Sequence, residues 1–158
     1  MGEKQHFQNT FKVMYDHLKD YIGKYQEHPY QENQKYVEAF LDVTIHVIAD
    51  YAERFLKYTG PVNACIYVNN TIKHIPNYTS QGIVKGGITF PIYFPAQFEQ
   101  IKVVWKSDNL RKVKDKTQKE DYLNFFAGKE VLESLRPVAE LIMNGVEEKY
   151  ELLCSIKK

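Results

Sequence analysis

A chain of 158 residues has the length of one domain and can bury roughly two thirds of the surface its unfolded form exposes, so it needs no disulfide or metal staple. Its 21 Lys and Arg against 20 Asp and Glu leave a formal charge of +1, which excludes a global field for recruiting nucleic acid or an anionic membrane. Two cysteines, Cys65 and Cys154, fit a reducing compartment, no stretch reaches the roughly 18 to 20 apolar residues of a membrane span, and no secretion signal opens the chain, so a cytoplasmic location is expected.

Residues 3 to 27 place Phe7, Phe11, Met14, Leu18, Tyr21 and Tyr25 along a narrow helical seam at coiled-coil spacing, with charged residues elsewhere on the helix. His28 and Pro29 end it, because the residue before proline is pushed out of helical geometry. Residues 34 to 58 resume the helical period through Val37, Phe40, Leu41, Ile45, Ile48, Tyr51, Ala52 and Phe55, a wider apolar face, and Gly60 with Pro61 is expected to close that helix. The segment VNACIYV, then Asn69 and Asn70, then TIKHI predicts a β-hairpin in which Tyr67 faces Ile72 and Cys65 faces His74. Residues 77 to 87 predict a glycine-rich connection, and 88 to 94 and 99 to 105 two further strands. Residues 106 to 119 are basic and predict a loop. A short helix near EDYLNFF then breaks at Gly128 and a last helix follows through Leu132, Leu135, Ala139, Ile142, Val146 and Leu153. Pro137 fits there either behind a Ser134 cap or inside one continuous helix.

The fold class expected from this order is α+β: one domain over residues 1–158, with 1–33 an N-terminal helix and connector, and a central antiparallel sheet of about four to six strands flanked by long terminal helices. Strand alternation gives that sheet two unlike faces. Val62, Ala64, Ile66, Val68, Ile88, Phe90, Ile92, Phe94, Ile101, Val103 and Trp105 form an apolar set expected to meet the helices. The opposite, mixed face carries Cys65, Tyr67, His74, Thr89 and Tyr93, the candidate ligand-binding residues.

A helix running into VNACIYVNNTIKHI, a later ITFPIYFPAQFEQIKVVW and a closing EVLESLRPVAELIMNGVEEKYELL together resemble a small GAF domain, from near Val37 to Leu153. Phe90, Pro91 and Ile92 stand where that family has a Val-Pro-Ile-like step before a turn. The resemblance implies a sensory or regulatory module, often dimeric through its first and last helices, that reports a pocket's occupancy through helix packing. The basic insert of 106–119 and the short 77–87 region depart from the family and argue against a large cyclic nucleotide or tetrapyrrole, and no cofactor is expected.

Catalytic motifs are missing. Cys65 beside His74 would join a thiol to an imidazole, but two ligands are not a metal site, and no CxxC, HExxH, P-loop or GxSxG pattern accompanies them. An ordinary buried cysteine beside a satisfied histidine is favoured, and His46 is read in the same way. The stretch 102–119 has seven basic residues against Asp108 and Asp115, with Trp105 its one aromatic, so a solvated loop is favoured over a nucleic-acid contact. The expected function is therefore non-catalytic: a sensory or regulatory module that binds a small apolar or amphipathic ligand and pairs with a second copy or a signalling protein through its terminal helices. The alternative is a ligand-free interaction module that docks or inhibits a signalling partner through its tyrosine-rich helices.

Overall fold

The computed structural model describes residues 2–72, 79–85, 99–107 and 115–144. Along these the chain is mostly helical: α1 (Glu3–Glu27), α2 (Gln31–Phe55), α3 (Pro61–Ile72), β1 (Thr79–Lys85), β2 (Glu99–Trp105), α4 (Lys116–Phe125) and α5 (Val131–Asn144). The expected α+β fold with a central sheet of four to six strands is overturned. Among the described residues the strands form one antiparallel pair, with Thr79 of β1 opposite Trp105 of β2 and Lys85 opposite Glu99. The glycine-rich stretch expected to be a connection thus contains β1, while β2 falls where the apolar alternation placed a strand. The run 88 to 94 lies outside the described residues.

The decisive difference is at residues 62 to 72, expected as two strands and a turn and found as helix α3. Gly60 adopts a left-handed φ of 53°, and Pro61 follows at the first helical position, where its missing N–H leaves no bond unmade. Gly60 therefore opens α3. The second helix has already ended at Phe55, where Leu56 turns extended and its N–H still reaches the Ala52 carbonyl. Nine of the 12 residues of α3 are buried, Pro61 to Val68 and Thr71, and the helix is in contact with α2, α4 and α5. An element so enclosed satisfies its backbone internally as a helix, and this outweighs the strand preference of its Val, Ile, Tyr and Thr residues.

Helices α1 and α2 form an antiparallel hairpin. His28 leaves helical geometry before Pro29 (φ −134°, ψ 88°), as the proline requires, and the Asn33 side chain donates to the His28 carbonyl at 2.9 Å to hold the turn. At the open end, Arg54 pairs with Glu3 and its guanidinium lies 5.3 Å over the Phe7 ring. Phe11, Leu18 and Tyr25 from the predicted α1 seam are buried, joined by Tyr15 and Ile22, while Phe7 and Tyr21 are half-buried. Leu135, Ala139 and Ile142 of α5 are buried too, and Gln8 Nε2 of α1 donates to the Ile142 carbonyl at 2.8 Å. The inner parts of both terminal stripes are thus used by the chain's own core.

The basic stretch expected to be a loop gives way to α4 at Lys116. Asp115 caps that helix, accepting from the Thr117 and Gln118 N–H groups at 2.9 and 3.2 Å. The chain turns at Gly128, whose φ of 72° favours glycine, and there Trp105 N–H donates to the Lys129 carbonyl while Gly128 N–H donates to that of Trp105. Helix α5 runs continuously through Pro137. Ser134 is no cap; its hydroxyl donates to the Glu130 carbonyl at 2.7 Å. Around the turn, buried Trp105 stacks on Phe126 at 4.8 Å between ring centroids, and Tyr122 lies 5.0 Å from Tyr67 of α3.

Candidate functional site

The helical course of α3 rearranges the sequence-predicted ligand face. In a strand, Cys65 and Tyr67 would share one side; two steps along a helix turn them apart by about 200°. Both are fully buried, Cys65 in the core and Tyr67 against Tyr122. Burial pushes the Cys65 thiol well above its ordinary range, which disfavours the thiolate that nucleophilic attack or metal binding requires. His74, Thr89 and Tyr93 lie outside the described residues. Among the described residues, Cys65 and Tyr67 therefore share no common face. Of the two imidazole candidates, His46 is exposed on α2 and its Nδ1 lies 2.9 Å from Asn69 Oδ1 of α3.

Polar side chains inside the molecule serve its architecture. Asn63, buried in the first turn of α3, donates to Asp121 Oδ2 of α4 at 2.9 Å, and the Gly60 N–H donates to the same carboxylate. Asp121 therefore ties α4 to the start of α3 and sets a carboxylate beside that helix N-terminus. Burial outweighs those two bonds and holds its carboxyl above the usual range. On α2, burial and then the Glu38 charge push half-buried Asp42 up to about 6. Among the described residues, no three or more His, Cys, Asp and Glu side chains are grouped so as to hold a metal ion, and no helix is long and apolar enough to cross a membrane.

A different surface stands out on the α1–α2 hairpin. Along α2, Tyr36, Phe40, Val43 and Val47 follow one another at steps of four, three and four residues, a second helical line beside the broad buried face. Along α1, Val13, His17 and Tyr21 form a matching line. The rings interlock across the hairpin: His17 stacks on Phe40 at 5.1 Å, Tyr21 on Phe40 at 5.1 Å, and Tyr21 on Tyr36 at 4.8 Å. Lys24 places its ammonium 4.5 Å over the Tyr21 ring and pairs with Asp20 at the edge of the stack.

These rings and valines remain open to solvent. Val13 is 49%, Tyr36 43% and Val43 44% exposed, and His17 is exposed as well, whereas Phe40, Tyr21 and Val47 are half-buried against the core. The sequence placed Phe40 on the wide core-packing face of α2 and Tyr21 in the narrow α1 seam expected to meet a partner, and Val13, His17, Tyr36 and Val43 belonged to neither line. Their signal was present in the four-three-four spacing of Tyr36 to Val47, beside the wide stripe that dominates α2.

No family model, curated protein or solved structure matches the chain.

Proposed function

We propose that this chain is a non-catalytic, ligand-free interaction module that docks a protein partner through the outer face of its α1–α2 hairpin. One observation carries the reading: a stack of four rings, His17, Phe40, Tyr21 and Tyr36, continues into exposed Val43 and Val13 on one side of two paired helices. Single apolar residues on a surface need no explanation, but an aligned line with aromatic anchors suits a helix-in-groove or helix-pair contact. Tyrosine suits such a face because it buries a large rigid area at small entropic cost while its hydroxyl stays wet. The ligand-binding expectation rested on a sheet face bearing Cys65 and Tyr67, and these now lie in the helical core.

A photo-crosslinking side chain at Val43 tests the reading in the cell that makes the protein. The expected result is a covalent adduct to a polypeptide from position 43 and none from Met143, an equally exposed apolar residue on α5. No adduct from position 43 would contradict it.

A further inference from the structure

We infer that the partner seated on the hairpin face is a second copy of this chain, the two hairpins closing a four-helix bundle across a twofold axis. The inference rests on reading this face as an interaction surface, and it adds the identity of the occupant.

The first argument is fit. Each hairpin offers two antiparallel helices of 25 residues, and the exposed line on α2 has the spacing that interlocks with another helix packed alongside. A face two helices wide needs two helices to cover it, and a second hairpin supplies a pair of the same length and spacing. The second argument is area. At 1.5 Å per residue, each helix is about 37 Å long, and two helices about 10 Å across lying side by side give a whole face, seam and charged rim together, of about 700 Å², close to the roughly 800 Å² per partner of a standard stable interface.

Charge is the third argument. An isologous contact brings each residue near its own copy, so charged residues near the axis would repel. The seam of Val13, His17, Tyr21, Tyr36, Phe40 and Val43 contains no Lys, Arg, Asp or Glu. Charges of both signs begin beside it, with Asp20 and Lys24 on α1 and Glu32, Lys35 and Asp50 on α2, all exposed. An apolar centre with a charged rim is the usual anatomy of an interface, and a net charge of +1 per chain sets up little repulsion between copies.

Light scattering on the full chain, over a wide concentration range, tests this. The expected particle has twice the 18.6 kDa chain mass. Val43→Glu and Val13→Glu, both at exposed helical positions, are expected to raise the dissociation constant about a hundredfold or more by placing like charges together near the axis. Met143→Glu, away from the seam, is expected to leave it unchanged, with circular dichroism confirming that all three variants are folded. A monomer at every concentration, or a dimer that survives Val43→Glu and Val13→Glu, would overturn the inference. The proposed function would outlast that failure if position 43 crosslinks to a different polypeptide, and would fall with it if position 43 crosslinks to nothing.

Discussion

Asp42 sits half-buried on α2, one turn beyond Glu38, whose carboxylate accepts from Gln34 Nε2 at 2.9 Å. With its carboxyl raised to about 6, folded Asp42 keeps a proton at pH values where the unfolded chain has already released it. Its contribution to stability is therefore greatest below about pH 4, the ordinary carboxylate range, and is lost as pH rises through about 6. Asp42→Asn is expected to stabilise the protein at pH 7.5 by about 1 kcal/mol, solvent screening at a half-exposed site limiting the gain, and to flatten the pH dependence between about 4 and 6. Urea titrations at pH 4.5 and 7.5 measure this; equal wild-type and variant stabilities at both values would contradict it. Nothing in the sequence marked Asp42, because its shift comes from tertiary burial. Cys65 illustrates the same gap: its burial was expected from composition, while the neighbours that surround it depend on which backbone carries it.

Among the elements, the long helices were the most legible. The stripe of Val37, Leu41, Ile45, Ile48, Tyr51 and Ala52 is buried as its period predicts, and β2 buries Val103 and Trp105 by alternation. Helix α3 was misjudged because a short, continuous apolar run has no period of its own and fits a buried strand or a buried helix equally well. Gly60 followed by Pro61 was the available clue, since proline is favoured just inside a helix start as well as just past a helix end. The partner of buried Asn63 was beyond sequence reach: Asp121 stands 58 positions away. Asp121→Ala would leave the buried Asn63 amide and the Gly60 N–H without their acceptor. The expected loss is about 1 to 3 kcal/mol in denaturant unfolding, with Asp121→Asn, which keeps an acceptor oxygen, costing less. A loss no larger for Ala than for Asn would show that the acceptor oxygen at position 121 does not hold the start of α3.

At the scale of the molecule, α3 lies in contact with α2, α4 and α5, and this arrangement decides which surfaces are left over. With α3 helical, Cys65 and Tyr67 are enclosed in the core, the inner stripes of α1 and α5 are used within the chain, and the exposed aromatic line lies on the outside of the hairpin. Composition foresaw a chain able to build its own core. It could not foresee which of two helical lines on α2 would face inward, because that follows from the packing of the other elements against it. The measurement that bears most directly on this account is the set of backbone ¹³Cα chemical shifts of Val62 to Ile72 in the full chain. An unbroken series displaced downfield, as in a helix, is the predicted result; upfield displacement broken at Asn69 and Asn70, as in two strands and a turn, would contradict it.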